Sequence, residues 1–298
     1  MLDREIVYTF FNKRTTNNTE VKLAMKRFTV VFIITICVLL ISNPAKTQSI
    51  QDRISKYGQD YVDGYLQPFA DAFGAGMNSA WYNTANVDNG VSILAQAKIM
   101  LMPIPDDAKF FTDPVTGKPR PTFFGPDTGE LNGINQKWAP LVVPHIAVGN
   151  FYDTRLMIRF LPKIPITDVG DLQLWGVGVQ HNIGKYIPTP LPVDIAGMVA
   201  YQDLKVGSIV DFSSFTFGVQ ASKSIPMVDF YAGLSYESSK LKLSYTQTGG
   251  SPLSFTLTGK NNVRLTGGIN FNLSVFKLNL DYSLAAQPVG TLGIGFGW

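Results

Sequence analysis

From Gly90 onward, outside the stretch 103–139, apolar and polar residues alternate in runs. Val91, Ile93, Ala95, Ala97, Ile99 and Leu101 alternate with Ser92, Gln96 and Lys98. Thr154, Leu156, Ile158 and Phe160 alternate with Arg155, Met157 and Arg159, and Val193, Ile195, Gly197, Val199 and Tyr201 face away from Asp194 and Gln202. The period of two continues through 215–222, 228–237, 241–246, 253–258, 263–273 and 276–284. With weaker runs at 141–150 and 169–180 and the closing stretch, the pattern predicts about twelve strands, in a range of roughly ten to fourteen. Within 169–180 the apolar phase shifts between Leu174 and Trp175, which predicts a bulge. In the last eight residues Leu292, Ile294, Phe296 and Trp298 form one row, and Thr291, Gly293, Gly295 and Gly297 form the other. A glycine row opposite large apolar residues suits a strand with lipid on one face and a crowded lumen on the other.

Ahead of the strands the period changes. Ile54, Tyr57, Tyr61, Val62, Tyr65, Leu66, Phe69 and Phe73 recur in steps of three and four, with Lys56, Gln59, Asp60, Asp63 and Gln67 on the other side. This predicts an amphipathic helix over 50–73, kinked or split at Pro68 and ended by Gly74-Ala75-Gly76, with 77–83 as a loop or short turn. Two placements fit the segment 49–89. It enters a barrel lumen as a plug through Tyr57, Tyr61, Tyr65, Phe69 and Phe73, or it packs on the periplasmic end of the fold or at a membrane surface.

The start of the chain reads as an address. Met25-Lys26-Arg27 is followed by an apolar run, 28–41, and then Ser42-Asn43-Pro44-Ala45-Lys46-Thr47-Gln48. Residues 25–48 thus read as a signal peptide cut near Gln48, the alternative being an uncleaved anchor. Residues 1–24 read as an over-long start ahead of the true initiator. The one cysteine, Cys37, lies in the apolar run, so no disulfide is expected in the mature chain.

Composition narrows the class. Charged residues make up 16% of the chain and aromatics 12%, and net charge is +3. Low charge beside long alternation argues against a soluble β-sandwich, the main alternative, and the mild positive balance shows no nucleic-acid footprint. The expected fold is all-β, a transmembrane antiparallel β-barrel over 90–298 with a short N-terminal amphipathic helix. Backbone groups within a bilayer must all be paired, so the sheet has to close. The Pro- and Gly-rich stretch 103–139 is then an extracellular loop. Its Asp113-Pro114-Val115-Thr116-Gly117 and Gly125-Pro126-Asp127-Thr128-Gly129 turns lack EF-hand spacing, and no metal or cofactor is expected.

If the apolar rows face lipid, the lumen receives Lys98, Arg155, Arg159, Asp229, Glu237, Lys242, Arg264, Lys277 and Asp281. Arg155 and Arg159 lie on one strand face, roughly 13 Å apart by strand rise. They either select an anionic group or join a structural network with Asp229, Glu237 and Asp281. The only histidines, His145 and His181, sit in no metal or catalytic spacing, and no enzyme is expected.

Several segments carry a family resemblance: 153–162, Val169-Gly170-Asp171-Leu172, 176–181, Pro192-Val193-Asp194-Ile195-Ala196, 218–224 and 231–238. They resemble an uncharacterised family of outer-membrane barrels from Bacteroidota-type bacteria, over most of 50–298. The resemblance implies an outer-membrane barrel of unknown function and carries over no catalytic residue. More loosely, the amphipathic mature start, 74–83 and the aromatic last strand are similar to the fatty-acid transport porins, which use an N-terminal hatch. This chain is shorter than those, with fewer strands expected. The expected function is passive transport or binding of a small or hydrophobic ligand, and the alternative is a non-transporting structural or assembly barrel in an envelope complex. Partners are outer-membrane lipid and the barrel-insertion machinery, which the resemblance implies reads Leu292, Ile294, Phe296 and Trp298.

Overall fold

The computed structural model describes residues 50–87, 91–114, 116–128, 133–166, 170–189, 191–246 and 252–298. The expected extension, signal peptide and cleavage site lie outside them, as does the side chain of Tyr57. Among the described residues one helix, α1 (Ile50–Asn78), precedes β1 (Ser92–Pro103). A 34-residue connection, 104–137, holds a short hairpin, β2 (Phe110–Thr112) and β3 (Pro119–Pro121). Then come β4 (Trp138–Phe151), β5 (Thr154–Ile166), β6 (Gly170–Asn182), β7 (Asp194–Val206), β8 (Val210–Ile225), β9 (Val228–Thr246), β10 (Pro252–Thr258), β11 (Val263–Leu273), β12 (Phe276–Leu284) and β13 (Val289–Gly297).

Apart from the small hairpin, the strands form one antiparallel sheet that closes on itself. β13 pairs with β1, and β8 pairs with β9. The closing seam continues past the last ladder pair, where Ile93 and Trp298 exchange backbone hydrogen bonds of 2.9 and 3.0 Å. The ring has ten strands, fewer than the twelve expected but within the range. The excess came from one hairpin. β9 runs unbroken for 19 residues where the sequence suggested two strands. β10 and β11 pair with successive parts of the same edge of β9, so they are two pieces of one strand. Between them, 259–262 stand opposite 237–239, one residue extra. Glu237 N–H donates to Asn262 O at 2.8 Å and Gly259 N–H to Ser239 O at 3.1 Å, so the interruption stays paired.

The polarity of the ring is that of a soluble protein turned inside out. Outward, Leu156, Ile158, Val177, Val179, Val199, Val219, Leu234, Leu265, Leu280 and Ile294 are exposed. Inward, Gln96, Lys98, Arg159, Gln180, Gln202, Thr216, Gln220, Glu237, Arg264, Asn279 and Thr291 are buried. Aromatic rows edge the apolar surface. Phe160, Trp175, Tyr201, Phe215 and Tyr236 lie toward the loop face, and Phe151, Phe230, Phe276, Phe296 and Trp298 lie toward the face with the carboxy terminus.

Above the loop-side aromatics the polarity reverses. On β9, Glu237 and Ser239 point inward and are followed on the same parity by Leu241 and Leu243, buried, while Lys240 and Lys242 face out. Phe255 and Leu257 on β10 are buried as well, with Ser254 and Thr256 exposed. Lys242 is therefore not a lumen charge, and Leu241, Leu243, Phe255 and Leu257 are not outward residues as expected. Parity persists because β9 has no break, and the extra residue at 259–262 flips it between Leu257 and Arg264 so that both face inward. The phase change in β6 has the same origin. Leu174 faces inward, the β6–β7 register runs without a shift from Leu172 to Asn182, and the irregularity lies in β5, between Leu161 and Ile164.

Candidate functional site

What turns the upper inner wall apolar is α1. It runs past Gly74-Ala75-Gly76, where a helix end was expected, and stays helical to Asn78. The glycines serve close approach instead. A Cβ on Gly74 would lie 2.1 Å from Ser239 Oγ on β9, and one on Gly76 would lie 2.9 Å from the Met102 side chain on β1. Pro68 also sits within the helix. It removes one backbone bond at a cost of about 3 kcal/mol, an amount the burial of one or two large apolar side chains offsets.

Residues 61–69 of the helix pack under the long connection. Tyr61 meets Phe111 edge-on at 5.1 Å, Phe69 meets Phe123 at 5.1 Å, and Phe123 N–H donates to Tyr65 O at 3.0 Å. The described residues of 104–137 thus form a folded cap rather than a loose loop. Phe73 is half-buried and stacks on Phe69 at 4.4 Å. The second half enters the ring. Gln67 Nε2 donates to Thr258 O at 2.9 Å, and Asp71 accepts from Lys260 N–H at 3.0 Å.

Helix ends leave carbonyls without partners and carry partial negative charge. The last turn of α1 has no basic residue of its own. The wall supplies them. Arg264 Nη2 donates to Ala75 O at 2.8 Å, while its Nε and Nη2 pair with both carboxylate oxygens of Glu237 at 2.6 and 2.9 Å. Arg159 donates to Met77 O at 3.1 Å, Ser79 O at 2.8 Å and Gln202 Oε1 at 3.0 Å. Its guanidinium stacks 3.7 Å from the centre of the Trp81 ring. Ser79 closes the turn, donating through its N–H and its hydroxyl to Gly76 O.

Beyond Ala80, which takes a left-handed backbone at φ 63°, the chain crosses the rest of the lumen as an irregular strap. Trp81 and Tyr82 pack among the inward residues Ala147, Met157, Met198, Ala200 and Tyr231. The Thr84 carbonyl accepts from Arg155 Nη1 at 3.2 Å, Gln180 Nε2 at 2.7 Å and Gln220 Nε2 at 2.9 Å. Ala85 N–H donates to Ser222 Oγ at 2.9 Å, and Arg155 Nη2 donates to Asn86 O at 3.0 Å. Segment 61–87 therefore contacts β1, β4, β5, β6, β7, β8, β9 and β11 from within.

The expected lumen charges fall into groups. Arg155 holds the strap, Arg159 the end of α1 and the start of the strap, and Arg264, oriented by Glu237, the last turn of α1. Lys98 and Asp281 belong to a second network across the opposite wall, and Asp229 forms a separate pair nearby. Lys98 Nζ donates to Asn279 Oδ1 at 2.7 Å, Asn279 Nδ2 donates to the Tyr231 hydroxyl at 2.6 Å and to Asn270 Oδ1 at 2.7 Å, and Tyr231 donates to Asp281 Oδ2 at 2.9 Å. Asp229 accepts from Asn272 Nδ2 at 2.8 Å. The glycine row of β13 makes space here, since a Cβ on Gly293 would lie 3.0 Å from the Lys98 side chain. Lys277 is half-buried near the carboxy-terminal end, and Lys242 is outside. His145 is buried beside Trp81 and Arg159, and His181 bridges Thr154 and Tyr186. The neutral residues Gln180, Gln202, Gln220, Ser222 and Asn279 were absent from the charge-based expectation. Their parity, shared with Arg155 or Lys98, was the signal for them. The role of 77–86 had no such signal, because a strap held by its backbone carbonyls needs no periodicity.

A family model described as "Family of unknown function (DUF6588)" matches residues 25–298. No curated protein matches by sequence. Solved structures with a similar course include Ail of Yersinia pestis, bound to a heparin analogue (15% identity, 71% of this chain and 100% of that one, TM-score 0.30). They also include the translocator domain of the autotransporter NalP from Neisseria meningitidis (10%, 82% and 99%, 0.35) and a loop-deleted OmpT of Vibrio cholerae (10%, 70% and 99%, 0.28). At such scores nothing about ligand or partner passes from them to this chain.

Proposed function

The chain belongs to this family of unknown function, and we propose that it is an outer-membrane β-barrel sealed by its own N-terminal segment, acting as a non-transporting structural or assembly barrel. The observation that carries this is the grip of Arg155, Arg159 and Arg264 on five backbone carbonyls of 75–86. Segment 61–87 touches the inner wall from the cap end to the lower turns, so on this reading the working surface is the loop face. The membrane setting is supported by the apolar outer belt, its two aromatic edges and the return to ordinary polarity above them. Outer-membrane lipid and the insertion machinery are the partners this implies, and no catalysis is assigned.

A second reading, gated passage of a small or hydrophobic ligand, draws on the hold being non-covalent among the described residues and directed largely at backbone carbonyls. Displacement of the strap would bare the cationic wall. The looser resemblance to fatty-acid transport porins and a Bacteroidota-type origin belong to this reading. Planar-bilayer recordings separate the two. The intact protein is expected to give no steady conductance, and a variant lacking 50–87 to give open-channel steps. Steady conductance or ligand flux through the intact protein would sink the sealed-barrel reading.

A further inference from the structure

Segment 61–87 has a direction. Its last described contacts, Thr84, Ala85 and Asn86 with Arg155, Gln180 and Ser222, lie near the turns that join β4 to β5, β6 to β7 and β8 to β9. β1 then starts at that same end, beside Trp298. Its first contacts lie at the opposite end, where Tyr61 and Tyr65 are bound to the cap. The chain thus enters the ring from the cap and leaves at the carboxy-terminal face before its first barrel strand begins. From Tyr61 the helix continues back to Ile50, which adds about 16 Å of helix on the cap side.

The two faces differ in the way that separates the outside of an outer-membrane barrel from its periplasmic side. At the carboxy-terminal face the β4–β5, β8–β9 and β11–β12 turns have two residues each, and only the β6–β7 connection is longer. The opposite face has connections of three, three and four residues at β5–β6, β7–β8 and β12–β13, but it alone carries the 34-residue cap connection and the tall β9–β10 extension. Short turns mark the periplasmic side and long loops the exterior.

We infer that the amino-terminal end of α1 stands outside the cell, so that the barrel exports and displays residues 50–60. This rests on the outer-membrane reading and adds a topology to it. A chain delivered to the periplasm has two ways to reach this state. Either 50–87 pass through the closed ring, or the strands close around them. In both cases the amino-terminal end finishes on the far side of the membrane. The arginine grip then holds it there, because retraction would strip partners from buried carbonyls and guanidinium groups together. The protein in this view anchors the amino-terminal end of α1 at the cell surface, with the cap as the collar through which it emerges.

Native lysines report the topology without any substitution. Lys56 lies near the start of α1, Lys118 in the β2–β3 turn of the cap, and Lys223 at the carboxy-terminal face, where its Nζ bonds Pro192 O. Intact cells are treated with a membrane-impermeant amine reagent, and the modified peptides are read by mass spectrometry. Lys56 and Lys118 are expected to be modified in intact cells, and Lys223 only after the outer membrane is permeabilised. Modification of Lys118 without Lys56 would overturn the threading and leave the outer-membrane barrel standing. Modification of Lys223 with Lys56 and Lys118 protected would overturn it through the orientation. Protection of all three until permeabilisation would remove the surface location on which the inference rests.

Discussion

The guanidinium of Arg159 lies 3.7 Å from the centre of the Trp81 ring, fully buried, while donating to the carbonyls of Met77 and Ser79 on either side. One wall residue thus holds the end of the helix and the start of the strap. A lysine offers the charge without the planar fork, so it cannot serve stack and carbonyls together. Arg159→Ala is expected to leave two carbonyls short of partners, at about 1–3 kcal/mol each, and Arg159→Lys to recover little of this. Intermittent conductance in bilayers and a lower unfolding temperature in detergent would be the readouts. Silent channels with unchanged stability would show that the grip does not hold the strap.

Arg264 and Glu237 make the other anchor, a two-point ion pair with both side chains out of solvent. Removing one partner strands the other. Glu237→Gln is expected to destabilise by about 3–5 kcal/mol, and a combined Glu237→Leu, Arg264→Met variant by less than the single change. Urea unfolding from micelles tests the order of the three stabilities.

Gly74 is needed for approach rather than for helix termination. Gly74→Val is expected to push α1 off β9 and lower stability, and Ser239→Gly in the same chain to restore part of it. Equal damage with and without the second change would refute the contact as the cause.

Leu234 and Lys242 share the outer surface of the same hairpin but sit below and above the polarity switch. Leu234 is 52% exposed in the apolar belt. Leu234→Arg there is expected to cost about 2–4 kcal/mol of membrane stability, while Lys242→Leu changes it little. Folding into vesicles of graded urea content measures both. Equal tolerance of the two would place Leu234 away from lipid.

The last strand closes the ring through the Ile93–Trp298 exchange, with Phe276 and Phe296 edge-on at 6.2 Å on the outer surface. Deletion of Trp298, or Phe296→Asp, is expected to lower the amount of folded barrel in the outer membrane without affecting export across the inner one. Fractionation that finds normal levels of both variants would remove the role of this strand in insertion.

Much of this was legible in the alternation. Residues 154–160, 228–237, 263–273 and 276–284 form strands with the expected faces, because period two over six or more residues fixes which side chains share a face. The inward course of Lys98, Arg155, Arg159, Glu237 and Arg264 followed from it. The break expected between Glu237 and Leu241 did not occur, because the polar run Ser238-Ser239-Lys240 reads as a turn yet lies within a paired strand. Ten strands rather than twelve is the consequence.

The sequence by itself determined the inverted polarity, the antiparallel strands, the helix ahead of them and the aromatic closing strand, since each depends on neighbours along the chain. Only the tertiary structure decided what covers each face. A leucine row on a strand is satisfied equally by lipid or by a helix, so Leu234 and Leu241 read alike, and only the course of α1 through the ring tells them apart. The same holds for the arginines. Their charge and parity were local facts, but their partners are backbone carbonyls some 70 to 190 residues away in sequence, which no pattern of side chains records.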